Sequence, residues 1–296
     1  PLAVTGNPIT VSAVIPNYNY KRYLGGRLSS VLRQTKPVNE IIFLDDCSHD
    51  GSLDYARTIL EETNIPVKIL ANETNAGKVA AQWEKGIISA NYQYVWVAEA
   101  DDYCEPIFAE ELTALACANA ELEPSIIYCQ SYMTDSDGVV GATYYDYYAG
   151  ISGICGQLFS DDFVLGGSDF ISNFIGVTNV IPNSSACLLS KNSLLELDWL
   201  ELLEFKYSAD WITYLRLCQL GSVAFTAKPM NYHRRHPSSV IHGNLAKPLG
   251  IYHEALQIQR HAQCAIDDPT ILARLRENSL LWIRSAFSNV VGLTDP

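Results

Sequence analysis

The stretch VWVAEADDYCEP (95–106) runs from an apolar, β-branched and aromatic segment through three acids to a proline. The apolar part reads as a buried strand. Pro106 suits the first turn of a following helix, where a missing N–H costs nothing. Glu99, Asp101 and Asp102 therefore stand at the exit of a strand with little nearby to neutralise them. Adjacent carboxylates repel, so either water solvates them or a cation sits between them. Hard divalent ions such as Mg2+ and Mn2+ take oxygen ligands, through one or two carboxylates completed by substrate phosphates.

Outward from this stretch the same alternation repeats. TVSAVIP (10–16), EIIFLDD (40–46), PVKILA (66–71) and SIIYCQS (125–131) read as further strands. Between them Leu24, Leu28, Val31 and Leu32 recur at helical spacing. A second helical stretch reaches about Glu62, and GKVAAQWEKGIISA (77–90) reads as a third helix. Strands alternating with helices imply right-handed crossovers and a mainly parallel sheet covered on both faces. Ligands of such sheets bind at the carboxyl ends of the strands. Tyr18, Asp45, Asp46, Asp101 and Asp102 all follow strand ends, so they should gather at one rim. DDCSHDGS (45–52) supplies a turn and a helix cap after its strand. It is either that alone or a strand-tip carboxylate bonding a base or ribose.

After residue 131 the alternation breaks. YYDYYAGISGICG (144–156), rich in Tyr and Gly, reads as a loop outside the core. SACLLS (185–190) reads as a strand, and ADWITYLRLCQLG (209–221) as a helix stopped by Gly221. SVAFTA (222–227) and MNYHRRH (230–236) read as two more strands. From about 247 the pattern is helical, with a break at Asp267, Asp268 and Pro269. SLLWIRSAFSNVV (279–291), with Trp282 and Phe287, is amphipathic and should pack on the core or a neighbouring domain, since it has few basic residues for a membrane.

The 296 residues, 48% hydrophobic and 18% charged, describe a globular chain with a large core. A net charge of −13 argues against general affinity for nucleic acid or anionic lipid. Eight cysteines show no CxxC and several lie in apolar runs, which favours reduced thiols and a reducing compartment. These 296 residues read without a secretory leader and without a run of 18 apolar residues. Because the first residue is Pro, the chain reads as a piece excised from a longer one.

VSAVIPNYN (11–19), SSVLRQT (29–35), EIIFLDDCSHDGS (40–52), NAGKVAAQWEKGIISA (75–90) and YVWVAEADDYCEP (94–106), in this order and spacing, resemble glycosyltransferase family 2, the inverting enzymes of GT-A type. Weaker correspondences continue to about 240. The resemblance implies an α/β fold, a GT-A type Rossmann-like, mainly parallel sheet flanked by helices. It places a GT-A domain at 1–246 and a helical C-terminal extension at 247–296. It further implies that Pro16, Tyr18 and Asp46 meet the nucleotide, Tyr18 stacking on the base and Asp46 bonding its edge. Asp101 would contact the ribose and Asp102 the metal, Mn2+ or Mg2+. Glu99 stands where the family's acidic motif has Asp, a longer arm at the same charge. Lys78 is either a solvated lysine at a helix start or a phosphate contact.

YSADWITYLRL (207–217) matches the family's segment bearing the catalytic base, which falls on Asp210, with Ala209 where Glu is frequent. Inverting displacement needs one carboxylate to take the acceptor's proton opposite the leaving group. NYHRRHPSSV (231–240) resembles another family segment. There His236 would ligate metal or bond the diphosphate, and Arg234 or Arg235 would neutralise the leaving group. NVIPNSSACLLS (179–190) would line the acceptor side through Asn183 and Ser185. The implied partners are a UDP-, dTDP- or GDP-linked sugar donor and a saccharide or lipid-linked saccharide acceptor, with no nucleic acid. The implied setting is bacterial surface-polysaccharide synthesis, cytoplasmic or peripheral at the cytoplasmic face of the inner membrane.

Rival readings are weaker. A dinucleotide oxidoreductase lacks its G-x-G-x-x-G after the first strand. Zinc on His233 and His236 lacks a clear third ligand. A sugar-phosphate nucleotidyltransferase also puts acids on a metal at strand ends, and a silent nucleotide-sugar-binding module is left open by Ala209 and Glu99.

Overall fold

The computed structural model describes residues 8–150, 156–237 and 248–291. The sequence-based boundary at 246/247 and the 151–155 part of the Tyr- and Gly-rich stretch lie outside the described residues. The first half is β1 (Val11–Asn17), α1 (Lys21–Leu32), β2 (Glu40–Asp45), α2 (Ser52–Leu60), β3 (Val67–Ala71), α3 (Val79–Ser89), β4 (Tyr94–Val97), a short β5 (Tyr103–Cys104) and α4 (Phe108–Ala118). There follow β6 (Pro124–Thr134), β7 (Val140–Thr143), α5 (Tyr144–Gly150), β8 (Phe163–Leu165) and α6 (Gly167–Phe170). The chain then forms β9 (Cys187–Ser190), α7 (Lys191–Leu195), α8 (Trp199–Leu202), α9 (Ala209–Cys218), β10 (Ser222–Arg234), α10 (Pro248–Cys264) and α11 (Pro269–Val291).

One sheet runs β3-β2-β1-β4-β9-β6-β10-β5, with β7 on β6 and β8 on β10. Its first four strands are parallel, and every residue of β1, β2 and β4 is buried. That explains their unbroken apolar runs, since both faces are covered by helices. α1 packs through Leu24, Leu28 and Val31, and α3 crosses at Gly86. A Cβ there would come within 2.3 Å of Val14 Cγ1 and 3.0 Å of Leu44 Cδ1, so only glycine permits the approach. β9 pairs antiparallel with both β4 and β6, while β6 and β10 are parallel. Order reverses about β1, with β2 on one side and β4 on the other, opening a crevice at their carboxyl ends.

Two expectations are corrected. The stretch from Tyr144 is not an excursion: Tyr144 and Tyr148 are buried one helical turn apart on α5. Tyr148 lies 4.2 Å from Phe159, which in turn contacts Phe174 and Phe225. Periodicity was masked because the apolar bodies of tyrosines do the packing. The two strands expected at 222–236 are one, β10, whose pairing with β6 shifts register on either side of Pro229. The shifts accommodate a residue that has no N–H for the ladder. Both C-terminal helices are present, and Trp282 approaches Trp211 of α9 at 6.5 Å and Tyr252 of α10 at 6.0 Å. Among the described residues no helix is long and apolar enough to cross a membrane. The seven described cysteines are all free.

Candidate functional site

At the carboxyl ends of β1, β2 and β4 lies a cavity of about 440 Å³. Its wall includes Pro16, Tyr18, Asp46, Lys78, Asp101, Asp102, Asn183, Asp210, Arg234 and Arg235, all residues singled out in the sequence. Ser185 and His236 are not on it.

The first wall follows β1 and β2. Asp45 is a strut: Asn17 Nδ2 donates to its Oδ1 at 2.9 Å and the Ser48 N–H to its Oδ2 at 2.9 Å, closing the turn. Asp46 faces the cavity. Its Oδ1 accepts from Asn72 Nδ2 (2.7 Å), the Ala76 N–H (2.9 Å) and Gln82 Nε2 (3.0 Å). Three donors hold one oxygen, so the carboxylate is oriented and its Oδ2 stays available to a ligand N–H. Tyr18, 44% exposed, stands beside it at the mouth.

The acidic loop after β4 is the second wall. Glu99 accepts from Trp83 Nε1 at 2.9 Å and Ser184 Oγ at 3.3 Å. Burial, with Asp101 close by, pushes its pKa up to about 8. Asp102 is 3% exposed and its carboxyl is also raised, by burial and then by Asp101, against the pull of His233 and Arg27. Arg234 N–H donates to Asp102 Oδ1 at 2.8 Å, and Asn183 Nδ2 to Oδ2 at 2.5 Å.

Arg27, which the sequence reading passed over, answers how these acids are tolerated. It is fully buried beneath them, its Nε donating to the Glu99 carbonyl at 2.8 Å and its Nη2 4.0 Å from Asp102 Oδ2. Its guanidinium lies 5.5 Å from the Trp96 ring centre. The signal was present in the sequence, because Arg27 falls on the buried Leu24–Leu28–Val31 stripe of α1.

The segment after β10 departs from expectation in three ways. His236 is buried behind the acids, its Nε2 2.9 Å from Asp101 Oδ2 and its ring between Tyr20 and Tyr23. It orients Asp101 instead of reaching the cavity. Arg234 spends Nε on the Asp101 carbonyl and Nη1 on the carbonyls of Asp135 and Ser136, between the rings of Tyr23 and Tyr103. It is a brace for the acidic loop more than a free cation. Arg235 Nη2 donates to Tyr144 Oη at 2.6 Å, and that hydroxyl is 2.6 Å from His233 Nδ1. The two histidines thus serve different partners, and no group of three His, Cys, Asp or Glu fit for a metal occurs among the described residues. Ser185 is also corrected: it is fully buried, its Oγ accepting the Glu99 N–H and its carbonyl accepting Trp96 Nε1, while its neighbour Ser184 lines the cavity. Lys78 lines the wall, but its Nζ donates to the Leu203 carbonyl at 2.7 Å, not toward an open phosphate position.

Asp210, which lines the same cavity, sits in the first turn of α9. Its Oδ2 accepts from Asn179 Nδ2 at 3.0 Å and its Oδ1 from the Trp211 N–H at 2.8 Å. Burial pushes its pKa up to about 6 despite those bonds. A carboxylate with that value can take a proton near neutral pH.

Comparison with known proteins agrees with this geometry. Residues 12–149 match the profile described as Glycosyl transferase family 2. Glycosyltransferase GlyG of Streptococcus pneumoniae is 30% identical over 137 residues, 46% of this chain and 40% of that protein. The poly(ribitol-phosphate) beta-N-acetylglucosaminyltransferase TarS of Staphylococcus aureus, solved as residues 1–349 with UDP-GlcNAc, superposes at a TM-score of 0.67 and 16% identity, covering 95% of this chain and 73% of that one. A mannosyltransferase of Pyrobaculum calidifontis, solved with GDP-Man and Mn2+, superposes at 0.54 and 15% identity, covering 99% and 78%. Sequence matches to the curated relatives span a minority of their length, 29% to 40% for three of them.

Proposed function

We propose that this chain, which has the family 2 glycosyl transferase segment over residues 12–149 and the GT-A fold of its structural neighbours, transfers a sugar from a nucleoside diphosphate to a saccharide hydroxyl with inversion. One observation carries the reading: a single cavity is lined at once by Asp46, the acidic loop and Asp210. Tyr18 stacks on the base and Asp46 Oδ2 accepts from its edge. Asp101, steadied by His236, takes the ribose.

The residues present fit a Mn2+ or Mg2+ ion. Asp102, with Asp101 beside it, offers oxygen ligands, and burial, then repulsion from Asp101, raises the carboxyls of Glu99 and Asp102. A hard divalent ion bound through one or two carboxylates is completed by substrate phosphate oxygens. Such an ion supplies charge neutralisation for the departing diphosphate. Arg235 adds positive charge on the same wall. Asp210 removes the acceptor hydroxyl's proton as the oxygen bonds the anomeric carbon and the nucleoside diphosphate leaves with the old bond's electron pair. Asn179 and the Trp211 N–H keep that carboxylate in place. The acceptor is a surface polysaccharide or a lipid-linked saccharide.

Thermal shift against UDP-, dTDP- and GDP-sugars with Mn2+ or Mg2+, followed by turnover of the stabilising donor, tests the reading. Stabilisation by one donor with release of its nucleoside diphosphate supports it. Absence of stabilisation by every nucleotide removes it, and stabilisation without turnover across acceptors leaves only a binding module.

A further inference from the structure

Glu254 lies on α10, far outside the family segment, and its side chain is buried. Its two carboxylate oxygens accept three consecutive backbone N–H groups: Lys206 at 2.8 Å, Tyr207 at 2.9 Å and Ser208 at 2.8 Å. These groups lie in the turn that enters α9, whose N-cap residue Ser208 makes no side-chain cap hydrogen bond. A helix start favours an anion, so a carboxylate from another helix fixes the entry turn and the Ser208 N–H at that start. Lys206, Tyr207, Ala209 and Asp210 all line the cavity, so the capped loop is part of its wall.

A second contact reaches the other side of Asp210. Gln259, one turn and a half along α10, donates from Nε2 to the Val177 carbonyl at 2.8 Å. Two residues later Asn179 holds Asp210 Oδ2. The close seating of α10 is visible at Gly250, where a Cβ would fall 2.8 Å from the Tyr207 ring. One helix thus grips the loop before Asp210 and the segment that orients its carboxylate.

We propose that Glu254 is a positioning residue for Asp210, holding the 206–210 loop so that the carboxylate meets the acceptor hydroxyl. The proposal rests on the reading of Asp210 as general base, and makes the Glu254 carboxylate a support for it from outside the cavity. Glu254 also adds negative charge near Asp210, in the direction that keeps the proton on. Tyr214 and Cys187, the other titratable neighbours, are both held neutral by burial, and Lys78 is turned to a carbonyl. Lys206, exposed at the mouth, lies over the Tyr207 ring.

The test compares the wild type, Glu254→Gln, Ala255→Gly and Asp210→Asn. Ala255 is buried on the same helix, so its glycine variant loosens α10 while keeping the Glu254 carboxylate that binds the loop. Melting temperature serves as the common scale. Carbon NMR titration of aspartate-labelled protein reads the Asp210 carboxyl directly, the resonance missing in Asp210→Asn, and needs no substrate. Turnover is then measured with the donor found by thermal shift. The expected result is that Glu254→Gln lowers the Asp210 pKa and cuts kcat by about ten- to a hundred-fold at unchanged donor KM. Ala255→Gly, at an equal loss of melting temperature, should move neither. If Glu254→Gln leaves the titration where it was, or matches Ala255→Gly in kcat, Glu254 is a structural cap and the proposal falls while Asp210 stands. Full turnover by Asp210→Asn removes the base reading and the proposal together.

Discussion

The cavity's two walls are held by different kinds of contact. On the wall formed after β1 and β2, each carboxylate is fastened by residues of adjacent βα units of the parallel sheet: Asp45 by Asn17 and Ser48, Asp46 by Asn72, Ala76 and Gln82 from the β3–α3 connection and α3. On the opposite wall Asp210 depends on Asn179, and its loop on Glu254 from a helix 46 residues beyond Ser208. The first wall stands on the parallel pairing of β1 and β2. The second is assembled from three separated segments and held together by the side-chain contacts of Asn179 and Glu254. Binding should therefore be robust on one side, and turnover sensitive on the other.

Asp210→Asn breaks this contrast most directly. It should lower turnover by about 10²- to 10⁴-fold with nucleotide affinity unchanged, by stopped assay and titration calorimetry. An equal loss of affinity would place Asp210 among the nucleotide contacts and erase the division. Next comes Arg27→Met. Removing the buried cation leaves Asp102 uncompensated and should cost about 3 kcal/mol in urea unfolding. A change within error would mean that the acids are tolerated for another reason.

The wild-type pH profile sharpens the contrast further. Asp210 must be unprotonated to act, and its pKa is raised to about 6, so turnover should fall about tenfold per unit below that value and level off above it. Stability runs the other way. A carboxyl raised in the folded state contributes stability below its unfolded pKa near 3.8, and that contribution is lost as pH rises through about 6. A flat profile between pH 5 and 7, in the order of a unit either side of that value, would detach the base from Asp210. Smaller effects belong to the first wall and its acidic neighbour. Asp102→Asn should weaken donor binding about tenfold with Mn2+ and hardly at all in chelator. Equal losses in both would argue against a metal there. Tyr18→Ala should weaken nucleotide binding by about fivefold, the worth of one exposed stacking contact, with kcat intact.

How much of this was legible beforehand follows the same division. The strand–helix alternation to residue 131 and the placement of Asp46, Asp101 and Asp102 at one rim were readable, because each is set by local apolar period and strand polarity. Tyr148 was misread because aromatic residues with polar tips resemble loop composition while their rings pack as core. His236 and Ser185 were placed on the cavity because motif spacing says which loop a residue is on, but not which way it turns. Asp101 and the Glu99 N–H take them instead.

By itself the chain's order of apolar runs, turns and acids determined a mainly parallel α/β sheet and the rim where its carboxylates collect, since helix and strand periods act over a few residues. Only tertiary packing decided that Arg27 would lie beneath Asp102, that His236 would back Asp101, and that Glu254 would cap the loop of Asp210. Those pairings join segments far apart in the chain. Burial selects them there, because a desolvated charge or N–H must find a partner within hydrogen-bond reach wherever the fold brings one.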